Sequence, residues 1–146
     1  MAAAGTQRPI AEDLFTWPSD DPHLIGGRCD DCGVVTFPRQ GGCPGCASER
    51  IGAIELSTRG TLWTFTTQEF EVKEPYRGIV PGEDFVPFGL GYIELPEGVK
   101  VESRLTESDA DALRIGMPMD LVLIPAYADP DGTEVLTFAF APAPEA

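Results

Sequence analysis

Four cysteines in two tight pairs constrain this chain more than any other feature of its sequence. They lie in the segment CDDCGVVTFPRQGGCPGC, so Cys29 and Cys32 form one C-x2-C pair and Cys43 and Cys46 form the other. Four thiolates complete a tetrahedral metal site that leaves no coordination position for water or a substrate. We therefore predict a structural metal. Zinc is favoured over iron because nothing else in the sequence indicates a redox role.

Two other uses of paired cysteines are less consistent with the rest of the chain. Disulfides are typical of secreted proteins, and the first residues, MAAAGTQRPIAEDLF, contain no basic stretch followed by an apolar block. A redox C-x-x-C motif occurs singly, close to a βαβ unit. The sequence contains no run of 18 apolar residues, so it predicts no membrane-spanning helix. We therefore expect a metal-binding protein of the cytoplasm.

The residue that follows each cysteine pair indicates the backbone conformation of the turn. A positive φ is commonly needed at this position, which favours glycine. Gly33 follows the first pair, whereas Ala47 follows the second. The second turn is therefore predicted to be the less favourable of the two.

The remainder of the chain has the alternating pattern of strands. Five strands are predicted, in GTLWTFTTQEF, FVPFGLGYIEL, VKVESRL, MDLVLIP and EVLTFAF, with a short helix in TESDADALRIG. Alternation in the first places Trp63 and Phe65 on one face and Leu62 on the other. The alternating glycines Gly89 and Gly91 indicate strong coiling or close backbone approach, as small barrels require. Five strands with a helix between the third and fourth are typical of the OB-fold.

These patterns predict a mainly β chain with four parts. The parts are an N-terminal helical or extended segment (1–27), a zinc ribbon (28–58), a C-terminal five-stranded OB-fold barrel (59–142) and a tail (143–146). The helical prediction rests on Ile10, Leu14 and Trp17, which would share one side of a short helix.

The charge of the chain argues against a nucleic-acid partner. Ten basic and 24 acidic residues give a net charge of −14. Residues 1–27 contain one arginine and four acidic residues and carry a charge of −3. Residues 28–59 contain four arginines and four acidic residues and are neutral, whereas residues 60–146 contain five basic and 16 acidic residues and carry −11. Such a surface repels phosphates. Because zinc ribbons and OB-folds often bind single strands, a single-stranded nucleic-acid-binding module is nevertheless the alternative function.

The groups that a free-standing enzyme needs are not recognisable in the sequence. The only histidine, His23, lies in the turn sequence DDPHL, and no GxSxG, P-loop or GxGxxG motif occurs. An independent enzyme is therefore the least favoured of the three classes of function.

The connection between the first two predicted barrel strands has the composition of a binding surface. The segment EFEVKEPYRGIVPGEDFVPF is long and rich in proline, and it contains apolar side chains. Loops of this length inside compact domains are usually functional. Tyr76, Ile79, Val80 and Phe85 are therefore predicted to form a partner surface.

Several of these segments, taken in order, resemble one known family. The ribbon RCDDCGVVTFPRQGGCPGC is followed by RGTLWTFT, LGYIELPEGVKVESRL, LRIGMPMDLVL and FAFAP. Over roughly residues 10–142 this order is similar to the zinc-ribbon/OB-fold family of acyl-CoA-associated proteins catalogued as domain of unknown function thirty-five. Members accompany thiolase-like enzymes, including steroid side-chain retro-aldolases, synthases and acyl-CoA hydratases. The resemblance implies a structural zinc on the four cysteines and a non-catalytic accessory subunit that stabilises such an enzyme.

The resemblance also implies that the chain helps to guide a coenzyme A thioester to its partner. The phosphates of coenzyme A would need arginines, and Arg28, Arg39, Arg50 and Arg59 lie in or beside the neutral ribbon. Arg39, Arg59 and Trp63 are the predicted acyl-CoA contacts. The alternative is that these arginines are ordinary surface charges.

Overall fold

Residues 6–70 and 85–144 are described by the computed structural model of the chain, and they form nine strands. The strands are β1 (Gln7–Pro9), β2 (Ile25–Cys29), β3 (Val35–Thr36), β4 (Ile51–Glu55), β5 (Arg59–Gln68), β6 (Phe88–Glu94), β7 (Lys100–Leu105), β8 (Pro118–Ala128) and β9 (Glu134–Pro142). The predicted mainly β fold, a ribbon followed by a five-stranded OB-fold barrel, is confirmed. No helix is present in these two ranges, and they therefore contain no helix that could span a membrane.

The barrel is formed by the last five strands. Their order is β5-β6-β7-β9-β8, and β8 returns to β5 where Arg59–Thr61 pairs with Pro118–Asp120. The contact between β7 and β9 is parallel, at Leu105 and Phe140, whereas the other neighbours in the barrel are antiparallel. This closed order is that of the Greek-key OB-fold. β1 adds a sixth strand, which runs parallel to β9.

The inner face of the barrel follows the predicted alternation in β6 and β7. Val101 and Leu105 of β7 are buried, as expected. A Cβ atom built on Gly91 of β6 would lie 2.9 Å from the carbonyl oxygen of Thr64 and 3.0 Å from Cδ1 of Leu62. Only glycine fits between these strands, so the predicted close backbone approach is confirmed.

A bulge in β5 overturns the predicted alternation of that strand. Leu62 pairs with Ile93 and Phe65 pairs with Gly91, with a register shift between Leu62 and Thr64. The extra residue of a bulge reverses the faces beyond it, so Leu62 and Phe65 both contact the core. Trp63 lies on the outside of the barrel with half of its surface exposed (50%), and the prediction that it shares a face with Phe65 was wrong.

The predicted helix in the N-terminal segment is also wrong. β1 pairs with β9, and the backbone N–H of Ile10 donates to the carbonyl oxygen of Leu136 at 2.8 Å. Phe15 then forms an antiparallel bridge with Leu24. The backbone groups of this segment are thus satisfied by distant chain, which leaves no i→i−4 hydrogen bonds for a helix.

The second predicted helix, in residues 106–116, is replaced by turns. The side chain of Asp109 accepts a hydrogen bond from the backbone N–H of Asp111 at 2.8 Å, which competes with helical bonding. At the end of the segment, the N–H of Gly116 donates to the carbonyl oxygen of Leu62 at 2.8 Å. The end of this segment is therefore bonded to β5 instead of completing a helix.

The ribbon and the barrel are packed on one shared core. The ribbon sheet has the order β3-β2-β4. Buried residues before and after it form one cluster with those of the barrel, including Phe15, Leu24, Leu56, Leu62, Ile93, Met119 and Phe140, and the partly buried Val35 and Ile54 of the ribbon strands pack against it. Phe37 of the ribbon meets Phe138 of β9 edge to face at 5.4 Å. Where the ribbon joins the barrel, Glu97 accepts hydrogen bonds from the N–H of Ser57 (3.0 Å) and from its hydroxyl (2.7 Å).

Candidate metal centre

The four cysteines meet at one end of the ribbon. Cys29 ends β2, and the other three lie in the turns between the ribbon strands. The four Sγ atoms all lie within 4.8 Å of one another. Sγ of Cys29 is 3.6 Å from that of Cys46, and Sγ of Cys32 is 3.4 Å from that of Cys43. A disulfide would need about 2.05 Å, so all four thiols are free.

This spacing fits a tetrahedral metal. With zinc–sulfur bonds of about 2.3 Å, the sulfurs of a tetrahedron lie about 3.8 Å apart, close to the distances of the two nearest pairs. Cys29 and Cys43 are buried, whereas Cys32 and Cys46 are exposed. The predicted metal site is consistent with this arrangement, and four thiolates would leave a bound ion no open position, as in a structural metal centre. When bound, the ion would tie the two turns together.

Two similar turns position the thiols. In the first, the N–H of Gly33 donates to the carbonyl oxygen of Cys29 at 2.9 Å; in the second, the N–H of Ala47 donates to that of Cys43 at 2.9 Å. The N–H of Gly45 also points at Sγ of Cys43, at 3.3 Å. Gly33 and Ala47 have φ values of 79° and 64°. The positive φ expected from the sequence is therefore present in both turns, and alanine occupies one of them.

Crowding of the thiols separates their pKa values. A hydrogen bond from the backbone of Cys32 lowers the pKa of the Cys29 thiol to about 7. The backbone of Ser48 lowers the pKa of Cys46, but contacts with the Cys29 and Cys32 thiols outweigh it and raise that pKa to about 12. Four adjacent thiols cannot all ionise without a compensating cation. The donor set is therefore one that binds a divalent metal with release of protons.

Exchanging the residues at the two positive-φ positions is expected to move stability in opposite directions. Ala47→Gly should stabilise the metal-loaded protein by about 0.5–1 kcal/mol, because an L-residue in the left-handed region costs about 1 kcal/mol. Gly33→Ala should destabilise it by about 1 kcal/mol through the same backbone term, since a Cβ there would meet no atom within 4 Å. Denaturant unfolding with zinc in excess measures both changes.

Gly41→Ala is the matched control for this pair. A Cβ at Gly41 also meets no atom within 4 Å, and its φ is not positive. We expect little change in its unfolding midpoint. Equal destabilisation by Gly41→Ala and Gly33→Ala would show that the positive φ of Gly33 is not the cause of the loss.

The three predicted acyl-CoA contacts occupy separate positions. The guanidinium of Arg39 donates to the carbonyl oxygen of Ile51 at 2.7 Å, in the ribbon. Arg59, at the start of β5, forms a two-point ion pair with Asp120 at 2.8 and 3.1 Å. Trp63 lies farther along the outside of the same strand. Their role toward acyl-CoA stays a prediction.

Most of the predicted partner surface falls outside the part of the chain that the structure describes. Tyr76, Ile79 and Val80 lie between residues 71 and 84 and are not described. Phe85 is half-buried and packs edge to face against Phe88, with ring centroids 6.3 Å apart. Sequence reasoning missed the outward-facing Tyr92 as a candidate contact, although apolar residues at alternate positions of β6 were a visible signal.

Comparison with known proteins agrees with the ribbon and the barrel. A family profile described as "ChsH2, rubredoxin-like zinc ribbon domain" matches residues 17–52, and one described as "ChsH2, C-terminal OB-fold domain" matches residues 53–123. The profiles meet between residues 52 and 53, and our division at residues 58 and 59 stays a prediction.

Relatives match along most of the chain. A "DUF35 domain-containing scaffold protein" of Pyrococcus furiosus is 31% identical over 120 residues, which are 82% of each protein. The "Benzoylsuccinyl-CoA thiolase subunit BbsA" of Thauera aromatica is 29% identical over 133 residues, covering 88% of this chain and 83% of the relative.

A solved structure shares the fold. The chain is similar to one in the "Ltp2-ChsH2(DUF35) aldolase", with a TM-score of 0.62 and 24% identity, over 84% of this chain and 86% of the other. The ribbon with its four gathered cysteines, the closed barrel and these matches lead to one assignment. This chain belongs to the DUF35 family of ChsH2-type proteins, in which a rubredoxin-like zinc ribbon precedes an OB-fold domain.

Proposed function

We propose that this chain is a non-catalytic accessory subunit that binds and stabilises a thiolase-like acyl-CoA enzyme. The observation that carries the proposal is similarity over about four fifths of the chain to proteins named as a scaffold and as a thiolase subunit. The fold of a chain from an aldolase assembly is consistent with it. The partner would supply the catalytic groups, and this chain would supply a rigid surface that the bound metal stabilises.

The chemistry of the described residues supports a role without catalysis. Four protein thiolates fill a tetrahedral site, so a bound zinc would have no position for substrate. His23 is held in place by the carbonyl oxygen of Leu56 at 2.8 Å and by Asp21 at 3.2 Å. The bond to Leu56 is the main cause of its raised pKa. The side chain of His23 therefore stabilises the turn that leads into the ribbon.

The partner class can be narrowed by the chemistry in the names of the relatives. A benzoylsuccinyl-CoA thiolase and an aldolase both act on bonds between carbon atoms. We therefore propose a partner that cleaves or forms such bonds in acyl-CoA substrates, for example a steroid side-chain retro-aldolase. A cytoplasmic location is part of the same proposal.

A direct contact with coenzyme A is a secondary part of the proposal. Arg39, Arg59 and Trp63 are its candidates, but both guanidinium groups already have partners within the chain. A phosphate would have to share Arg59 with Asp120. We therefore expect coenzyme A to bind weakly to the isolated chain and more strongly when the partner enzyme supplies the rest of the site.

Affinity purification from the native host tests the main proposal. We expect the tagged, zinc-loaded chain to copurify in fixed stoichiometry with one thiolase-like enzyme, identified by mass spectrometry, and to raise the melting temperature of that enzyme. The Cys43→Ser variant, which lacks a metal ligand, should recover less of it.

Two outcomes would contradict the accessory role. One is turnover of acyl-CoA substrates by the purified chain alone. The other is recovery of single-stranded nucleic acid at low salt without any acyl-CoA enzyme, which would favour the alternative function.

A further inference from the structure

The outside of β6 carries an apolar stripe where a barrel would normally present polar side chains to water. Phe88, Leu90 and Tyr92 alternate with the inward-facing Gly89, Gly91 and Ile93. Next to the stripe, the exposed ring of Trp63 meets that of Tyr92 edge to face, with centroids 6.2 Å apart. Exposed aromatic clusters of this kind mark interaction sites, and tryptophan and tyrosine are frequent at the centres of interfaces.

The charged side chains beside the stripe balance in number, with Lys100 and Arg104 against Glu94 and Glu102. Nζ of Lys100 lies 3.6 Å from the carboxylate of Glu94 and 4.8 Å from the centre of the Trp63 ring. The guanidinium of Arg104 lies 4.2 Å from the centre of the Phe88 ring. On a chain with a net charge of −14, this face is therefore close to neutral. A face of low net charge fits an interface, whose core is depleted of charged residues.

One carboxylate on this face forms no ion pair with the residues that the structure describes. Glu102 of β7 pairs across the strands with Tyr92, whose hydroxyl donates to it at 3.4 Å, but no cation among the described residues lies within 4.0 Å of it. Glu102 and Tyr92 line a pocket of about 240 Å³, together with Thr64, Phe65, Thr66, Leu90 and Gly91. A carboxylate beside an aromatic ring is suited to an arginine, which can bond the one and stack on the other.

We propose that the outer face of β5, β6 and β7 docks the thiolase-like partner, which inserts an arginine into the pocket lined by Tyr92 and Glu102. This inference rests on the proposed function and adds the surface and the chemistry of the contact. Charge complementarity supports it, because a strongly acidic chain attracts a basic patch and Glu102, which has no ion pair among the described residues, offers that patch a fixed position.

The apolar surface continues beyond the stripe. Phe70 and Val86 are among the most exposed apolar side chains described, at 81% and 70%, and they flank the ends of β5 and β6 at which Phe88 lies. An interface needs about 800 Å² on each partner, which is more than the stripe alone provides. The stripe would thus form the centre of the contact, with Phe70 and Val86 toward one edge.

A single nucleic-acid strand is a poorer occupant of the same face. Stacking rings are present, but a strand also needs free cations to follow its phosphates. Lys100 is paired with Glu94, Arg59 is paired with Asp120, and Glu102 would repel a phosphate. Arg104, which lies over the Phe88 ring, has no carboxylate partner among the described residues, but a single cation cannot follow successive phosphates. The same face can therefore accept a basic side chain more readily than a phosphodiester.

Binding measurements with the copurified thiolase-like subunit test the docking site. Glu102→Gln removes the charge but keeps the shape of the side chain, and we expect the Kd to rise about 30-fold, as for loss of one member of a buried charge pair. Trp63→Ala should raise it to a similar extent, as at an interface hot spot. Glu102→Lys should weaken binding further, and added salt should then weaken the remaining binding less than it does in the wild type.

Matched controls separate the docking site from general effects. Glu49→Gln removes an exposed carboxylate from the ribbon, and Ile115→Ala truncates an apolar side chain that is 67% exposed. Both should leave the Kd within about twofold, and all variants should retain zinc and the wild-type melting temperature.

The possible failures are distinguishable. If the wild-type chain recovers the enzyme but Glu102→Gln and Trp63→Ala bind it normally, the docking site is wrong and the accessory function stands. If no thiolase-like enzyme is recovered, both proposals fall. Binding of a thymidine oligonucleotide that Trp63→Ala abolishes would assign the face to single-stranded nucleic acid and would also overturn the inference.

Discussion

Cys43→Ser is expected to abolish stoichiometric metal binding and to unfold the ribbon. A serine hydroxyl is a poor substitute for a thiolate, and Cys43 is one of the two buried ligands, with 5% of its surface exposed. The three ribbon strands have only five, two and five residues. A structural zinc contributes about 10–16 kcal/mol of apparent binding free energy to folding, more than such a small sheet provides. Elemental analysis should find metal near one equivalent in the wild type and close to none in the variant.

The loss should reach the barrel as well. Leu24 and Leu56, which flank the ribbon strands β2 and β4, belong to the core cluster that includes Leu62 and Ile93 of the barrel. We therefore expect a lower melting temperature for the whole chain, measured by circular dichroism. Val34→Ser is the control, because it alters an exposed side chain beside the site without removing a ligand. Full metal content in Cys43→Ser would contradict the four-thiolate centre.

Gly60→Ala is expected to destabilise the barrel at the point where it closes. A Cβ at this position would lie 2.6 Å from Cγ2 of Ile93 and 2.7 Å from the carbonyl oxygen of Glu94. Gly60 also pairs with Met119, at the place where β8 closes the barrel against β5. Because a backbone oxygen cannot move without disturbing the ladder, we expect a loss of about 2–3 kcal/mol. The melting temperature should fall by roughly 6–12 °C.

Gly52→Ala provides a matched control in the ribbon strand β4. A Cβ at Gly52 would meet only Oδ1 of Asp30 at 3.7 Å and the carbonyl oxygen of Arg28 at 4.0 Å, which are ordinary contacts. The substitution should be neutral, or stabilising by up to about 1 kcal/mol, because alanine restricts the unfolded chain. Equal losses of stability for Gly52→Ala and Gly60→Ala would show that the close contacts of a Cβ at Gly60 are not the cause of its effect.

The parts of the fold that depend on short stretches of sequence were predictable. The spacing of the cysteines specifies two tight turns, and the structure gathers the four thiols as expected. Alternation identified the five barrel strands, and it placed Gly89 and Gly91 of β6 on the face opposite Phe88 and Tyr92. These features depend on neighbours within a few residues, so a single sequence contains the information.

The errors concern residues whose structure is decided by distant partners. Ile10 and Leu14 have helical spacing, but backbone hydrogen bonds join them to Leu136 of β9 and Ile25 of β2. Trp63 was placed on the wrong face because the bulge after Leu62 depends on how β5 pairs with β6. Local periodicity reports the preferences of a segment, and it does not report which strand the segment will meet.

The pairing of β1 with β9 has a consequence for biogenesis on the ribosome. Gln7 donates a hydrogen bond to Glu134 at 2.7 Å, and the two residues are 127 positions apart. The strands of the ribbon, by contrast, find all their sheet partners within residues 25–55. During translation the ribbon can therefore capture its ion early, whereas the first strand must wait for the last one to emerge. We expect docking of these two ends to be the final event as the nascent polypeptide matures.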